Sequence, residues 1–127
     1  MAKKKILIVD DEKDILLVLE KMLIAEGYSV LTADNGKDAI TMAKSKSPDL
    51  IILDVIMPGM LGDEVAEKLK DHPSTKSIPV IFLTVILRKT EEYKVDHTIA
   101  SNIIFAKPFD SEELLDEIKT LVETAVI

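Results

Sequence analysis

Four apolar runs in this 127-residue chain each end in side chains that can do chemistry. "KKKILIVDDEKD" carries Ile6–Val9 straight into Asp10 and Asp11, "DLIILD" ends in Asp54, "PVIFLT" in Thr84 and "NIIFAK" in Lys107. Three carboxylates brought close together repel, and at least one would be driven to protonate. A hard divalent cation removes that conflict. Mg²⁺ takes oxygen ligands, usually one or two carboxylates plus waters and phosphate oxygens. Beside it, Lys107 supplies a second positive charge and Thr84 a hydroxyl donor, so the site wants an anion rich in oxygens, and a phosphoryl group fits. One carboxylate could be the nucleophile, since Asp can form an aspartyl phosphate. The protein's part in such a transfer is mostly placement and charge neutralisation. Alone, each residue has a plainer reading: Asp11 as a helix N-cap, Asp54 as a turn residue before Pro58–Gly59, Thr84 as a β-branched strand end, Lys107 as a surface charge. Together, each at the carboxyl end of a buried run, they form a pattern.

The pattern has meaning only if the strands carrying it are neighbours. Apolar runs recur at Lys5–Val9, Tyr28–Thr32, Asp49–Leu53, Ile78–Leu83 and Asn102–Ala106. They are rich in Ile, Leu and Val and do not alternate, which predicts strands buried on both faces of a parallel sheet. Helical spacing separates them. Ile15, Val18, Leu19, Met22 and Leu23 mark one face of a helix over Asp14–Glu26, with Gly27 free to take positive φ just beyond its end. Asn35–Gly36 opens a second helix through Ala39, Ile40 and Ala43, ending at Ser47–Pro48 because Pro cannot continue it. A third starts near Asp63, carries Val65, Ala66 and Leu69, and stops before Pro73. A fourth, roughly Arg88 to Thr98, has only Tyr93, Val95 and Ile99 to bury. The fifth opens on Asp110 with Glu113 as a capping box, or on Ser111 as N-cap, and buries Leu114, Leu115, Ile118, Leu121 and Val122. Five βα units with right-handed crossovers make one α/β sheet with helices on both faces. In such open sheets ligands bind beyond the carboxyl ends of the strands.

Composition narrows the function class. The chain is 47% hydrophobic and 31% charged, an ordinary balance for one core, and its length suits a single domain over residues 1–127 with no linker and no output domain. A formal net charge of -7 argues against a nucleic-acid surface, which needs clustered Lys and Arg. There is no cysteine, hence no disulfide framework and no thiolate metal site. The apolar run after Lys3–Lys5 is shorter than a signal-peptide core of roughly 7–15 residues, and no stretch approaches the ~20 residues of a membrane span. The expectation is a cytoplasmic protein without a membrane partner.

"ILIVDDEKD", "LIILDVIMPGMLG", "VIFLT" and "FAKPFD" together resemble the receiver domains of two-component response regulators, and the resemblance runs from Lys4 to about Val122. It implies a doubly wound (βα)5 domain, a parallel five-stranded sheet in the order 2-1-3-4-5. It implies that Asp54 accepts a phosphoryl group from a histidine kinase or a histidine phosphotransfer protein. Asp11 and Asp54 would ligate Mg²⁺ through their side chains, Asp10 through water and Ile56 through its backbone carbonyl. Thr84 would bond a phosphoryl oxygen and Lys107 would pair with another. The Lys107–Pro108 bond is expected to be cis. Phosphorylation would shift the Thr84 loop with the fourth helix and so alter the face made with the fifth strand and fifth helix, which a downstream target protein or output domain reads. His72 and His97 sit at no strand's carboxyl end, so the donor comes from another protein or a small acyl phosphate.

The sequence also departs from the family. Tyr or Phe usually stands three residues before the site Lys; here it is Ile104, with Phe105 displaced by one and pointed by period-two alternation to the other face. Val85 follows Thr84 where a small residue is common, and Ala100–Ser101 replaces a Gly-Ala pair. Ile56 and Ile86, two residues beyond Asp54 and Thr84, are apolar where the hydrolytic water would pass. That predicts a long-lived phosphoryl group, and a half-life of seconds in phosphate release with Mg²⁺ would count against it. Two rival readings remain: a pseudo-receiver acting by protein contact alone, which the intact acid cluster opposes, and a Mg²⁺-dependent phosphatase with an Asp nucleophile, which the absence of a D-x-D motif after the first strand opposes.

Overall fold

In the computed structural model, residues 3–84, 98–99, 102–107 and 109–123 are described. The aliphatic runs become β1 (Lys5–Val9), β2 (Ser29–Ala33), β3 (Leu50–Leu53), β4 (Val80–Thr84) and β6 (Asn102–Ala106), with a two-residue β5 (Thr98–Ile99) preceding the last. The described helices are α1 (Lys13–Ala25), α2 (Gly36–Lys46), α3 (Gly62–Lys70) and α4 (Ser111–Glu123). Sheet order is β2-β1-β3-β4-β6-β5. The five longer strands pair in parallel and stand in the order 2-1-3-4-5 expected for the doubly wound fold. β5 adds an antiparallel edge against β6.

Unbroken Ile/Leu/Val runs fold this way because each strand has helices on both sides. Leu7, Val9, Ile51, Leu53, Phe82 and Ile104 face one core, shared with Ala39 and Ala43 of α2 and Val65, Ala66 and Leu69 of α3. Ile6, Ile8, Leu50, Ile52, Ile81 and Leu83 face the other, shared with Leu19 and Leu23 of α1 and Leu114, Ile118 and Val122 of α4. Full burial of one such side chain is worth about 1.5–3 kcal/mol, so the sheet centre is a well-anchored platform for what its strand ends carry. The registers Val9↔Leu53 and Leu53↔Phe82 bring the carboxyl ends of β1 and β3 level, while β4 runs on past Phe82 to Thr84.

Local rules set the element ends. Gly27 takes φ 95° just beyond α1, as expected of a residue without Cβ. Asn35 caps α2 by accepting from the Asp38 N–H at 2.8 Å. The helix closes at Ser47, which is left-handed (φ 48°, ψ 61°) and donates its N–H to Ala43. Asp110, not Ser111, takes the cap role of α4, accepting from the Glu113 N–H at 3.1 Å.

Two expectations are corrected. Val18 is 54% exposed rather than part of the buried stripe of α1, and Leu16 packs at the core in its place. A 3.6-residue period leaves both edges of a stripe open, and here the sheet takes the Leu16 edge. Thr98 does not end a fourth helix: it pairs with Ile103 as strand. The rest of that helix, residues 88–97, lies outside the described residues, as do Val85, Ile86, Ala100, Ser101 and Pro108.

Candidate functional site

The sheet's own hydrogen bonds carry one residue past the strands and fix the reactive positions. Asp54 N–H donates to Val9 O at 2.9 Å, Asp10 N–H to Ala33 O at 3.2 Å, and Lys107 N–H to Thr84 O at 2.9 Å. The side chains that follow converge. One carboxylate oxygen from each of Asp10, Asp11 and Asp54 lies within 4.8 Å of the others. Lys107 Nζ stands 2.7 Å from Asp10 Oδ2, 3.5 Å from Asp54 Oδ2 and 3.1 Å from Glu12 Oε1. Asp11, Glu12, Asp54, Ile56, Thr84 and Lys107 line a cleft of about 200 Å³ over these groups.

Each acid has a distinct surrounding. Asp10 is buried, with Oδ1 accepting from the Glu12 N–H at 2.9 Å and Oδ2 on Lys107. Asp11 is exposed. The N-cap of α1 is Glu12, and it makes no side-chain cap bond. Asp11 is therefore not the cap of that helix, and its carboxylate faces the cluster instead. Asp54 is buried, and its Oδ1 takes a long 3.4 Å bond from the Ile56 N–H. Gly62, at the start of α3, lies flat against this turn: its N–H donates to Val55 O at 2.7 Å, and a Cβ there would overlap the Asp54 carbonyl oxygen. Only glycine lets α3 start so close to the acid.

The electrostatics follow from this crowding. Burial, partly offset by Lys107, pushes the Asp10 carboxyl above the usual carboxylate range. Burial, then the Asp10 charge beside it, pushes Asp54 up as well. Burial pulls Lys107 down, but its bonds to Asp10 and Glu12 and the charge of Asp54 outweigh that, and the ammonium is held above its ordinary value. Four carboxylates, Asp10, Asp11, Glu12 and Asp54, gather around one ammonium, and Asp10 and Asp54 are buried. The donor set is all oxygen. Both features fit a hard divalent cation of the Mg²⁺ type.

Thr84 shows a second unmet demand. Its hydroxyl lies near enough to Asp54 to help keep that carboxyl charged. Even so, Oγ1 is buried and has no partner of hydrogen-bond geometry among the described residues. The geometry decides here, because a contact outside those limits contributes little. A buried hydroxyl left in this state costs about 1–3 kcal/mol, which an arriving acceptor oxygen would relieve.

The site residues read from the sequence thus meet at one edge of the sheet: Asp10, Asp11, Asp54, Thr84 and Lys107, with Ile56 at the lip, its side chain 62% exposed. Ile104 is buried in the core on the α2–α3 side, and Phe105 packs on the other side with α1 and α4, as period-two alternation requires. His72 lies in the turn after α3, where its Nδ1 accepts from the Ser74 N–H at 3.2 Å, away from the cleft. His97 lies outside the described residues. Two residues escaped the sequence reading. Glu12 carries the same sign as its neighbours, which hides its pairing with a lysine 95 positions away. Gly62 stands inside "LIILDVIMPGMLG", and only the three-dimensional approach to Asp54 shows why a glycine is needed.

An acid cluster, a lysine and a hydroxyl without a partner among the described residues thus meet at the carboxyl edge of a doubly wound sheet. The profile of the response regulator receiver domain matches residues 6–119. Response regulator PleD of Caulobacter vibrioides is 38% identical over 123 residues, which is 97% of this chain and 27% of that protein. Protein PilH of Pseudomonas aeruginosa is 34% identical over 118 residues, 93% of this chain and 97% of that one. Among solved structures, the receiver domain of the sensor histidine kinase PA1611 of Pseudomonas aeruginosa, with a magnesium ion in its active-site cleft, superposes with a TM-score of 0.82 at 26% identity, covering 95% of this chain and 98% of that one. The chain belongs to the response regulator receiver domain family, the phosphoacceptor signalling domains of two-component systems. It spans about a quarter of PleD's length. No helix among the described residues is long and apolar enough to cross a membrane.

Proposed function

We propose that this chain is a phosphorelay switch in which Asp54 takes a phosphoryl group from a phosphohistidine on a histidine kinase or a histidine phosphotransfer protein. The observation that carries the reading is the meeting of Asp10, Asp11 and Asp54 within 4.8 Å beside a buried lysine and an unpartnered buried hydroxyl. Asp10, Asp11, Asp54 and the Ile56 carbonyl are the groups that would hold Mg²⁺, as the PA1611 receiver's magnesium supports by analogy. When bound, the ion supplies charge neutralisation at the phosphoryl oxygens.

The chain's own residues do the rest. An Asp54 carboxylate oxygen attacks phosphorus in line. The P–N bond breaks, and its electron pair stays with the imidazole of the donor. Lys107 neutralises the transferred oxygens, and the Thr84 hydroxyl donates to one of them. Asp54 is thereby converted from a crowded carboxylate to an acyl phosphate with strong acceptor oxygens. Drawing Thr84 inward biases the segment that follows β4, and with it the surface next to β6 and α4, which a target protein or output domain would read. Moving such a switch from 1:99 to 99:1 takes about 5.5 kcal/mol of differential stabilisation. Buried Ile104 leaves packing, rather than a swinging aromatic ring, to transmit the change. A cytoplasmic setting and a single domain over residues 1–127 complete the reading.

Incubation with Mg²⁺ and acetyl phosphate tests it by intact mass. One added phosphoryl group on the wild type and none on Asp54→Asn is the expected result. An unmodified wild type would favour the pseudo-receiver, and turnover of phosphate esters the phosphatase.

A further inference from the structure

Lys107 has three N–H donors; Asp10 at 2.7 Å and Glu12 at 3.1 Å take two of them, and Asp54 faces the ammonium as an ion pair at 3.5 Å. A phosphoryl group on Asp54 would compete for this ammonium with the two carboxylates bonded to it. Asp10 is buried and anchored by a second bond to the Glu12 N–H, so releasing it would strand a charge away from water. Asp54 is the acceptor itself. Glu12 alone is open to solvent, its side chain 59% exposed, and can be rehydrated on leaving. Glu12 also lines the cleft that a donor must enter.

We propose that Glu12 is a displaceable counter-ion: it holds a hydrogen bond of Lys107 in the unmodified protein, the incoming phosphoryl group displaces it, and its charge governs how readily anionic donors reach Asp54. The inference rests on the phosphoacceptor reading above. It makes Glu12 a positioning residue acting through Lys107.

Glu12→Gln keeps the size of the side chain. It removes no helix cap, because Glu12 caps α1 without a side-chain bond, so the fold is not at risk. Wild type, Glu12→Gln and Glu12→Asp are phosphorylated with Mg²⁺ at pH 7 by acetyl phosphate, a dianion there, and by phosphoramidate, predominantly a monoanion there. One unit charge acting across several ångströms of screened solvent gives an effect on the order of 3- to 10-fold on a dianion. The logarithm of the gain scales with donor charge, so the gain with acetyl phosphate should be about the square of that with phosphoramidate. Both gains should shrink toward one at high salt, and Glu12→Asp should restore wild-type rates in large part. A second readout needs no phosphorylation: the ¹⁵N resonance of the Lys107 ammonium should move in Glu12→Gln and stay near wild type in Glu12→Asp.

Equal rates with both donors, a slower Glu12→Gln, an equal gain for the two donors, or an unmoved Lys107 resonance would each overturn the inference while leaving the phosphoacceptor reading intact. A wild type that takes no phosphoryl group from either donor would overturn both.

Discussion

Lys107→Met removes the ammonium that faces Asp10, Glu12 and Asp54 and leaves most of the side-chain stem in place. Nζ stands 2.7 Å from Asp10 and 3.5 Å from Asp54. At an effective dielectric constant of about 20, these attractions amount to about 6 and about 5 kcal/mol before desolvation is counted. Desolvation of the three charges offsets most of that sum, so the pair is not worth the total. Removing one partner of a buried pair is another matter: it strands the remaining charge and costs about 3–5 kcal/mol. The carboxyls have one escape. Burial already holds Asp10 and Asp54 above the usual carboxylate range, and without Lys107 they rise further and take up a proton. The folded variant then binds more protons than its unfolded chain, so its stability falls as pH rises through that window. Each unit of acidification lowers the cost of the protonation by about 1.4 kcal/mol. In urea unfolding with EDTA, the variant should lose about 3 kcal/mol at pH 8, about 10 °C in Tm for a domain of this size. At pH 5 it should come within about 1 kcal/mol of wild type. Adding Asp10→Asn should recover much of the loss at pH 8. A loss under about 0.5 kcal/mol that is flat from pH 5 to pH 8 would refute the argument, since such a result is that of a solvent-exposed pair.

Thr84→Val replaces an unpartnered buried hydroxyl with a methyl group. The unmodified protein should be unchanged or about 1 kcal/mol more stable in urea, while the phosphorylated form loses a donor; a clear loss in the unmodified state would show that the hydroxyl is already bonded. Gly62→Ala forces a Cβ into the Asp54 carbonyl oxygen and should cost about 1–3 kcal/mol in urea, together with a slower acetyl phosphate reaction; a variant with wild-type stability and rate would rule out the close approach. Tyr28 donates to Glu123 at 3.1 Å, and burial, with that carboxylate beside it, pushes its phenol up to about 12. Because the folded state keeps the proton longer than the unfolded chain, stability should fall as pH rises from about 10 toward 12. In a Tyr93→Phe background the remaining tyrosine absorbance should titrate near the upper value, and titration near 10 would contradict it.

How much of this was legible in the sequence follows from which forces are local. Parallel strands buried on both faces leave continuous aliphatic runs, so Ile6–Val9 and Leu50–Leu53 announce themselves, and a polar residue just past such a run is conspicuous. That is why Asp10, Asp11, Asp54, Thr84 and Lys107 could be found before any coordinates, and why their meeting needed only the strand order. Glu12 could not be found this way. Its role comes from a lysine on a distant strand, and like-charged neighbours masked it. Val18 and Leu16 sit on opposite edges of one helical stripe, so choosing between them requires the tilt of α1 against the sheet. β5 is too short to carry a period. Asp11 fits the residue statistics of a cap, and only the position of Glu12 at the start of α1 shows that it is not one.

In the proposed function the three acids form one cation-dependent acceptor site whose nucleophile is Asp54. Peptide mapping after reaction with acetyl phosphate tests it most directly. With Mg²⁺ the mass of one phosphoryl group should appear on the peptide bearing Asp54, and should vanish when EDTA replaces the metal or when Asp11 is changed to Ala. Modification at another residue, or modification of Asp54 indifferent to EDTA and to Asp11, would contradict the account.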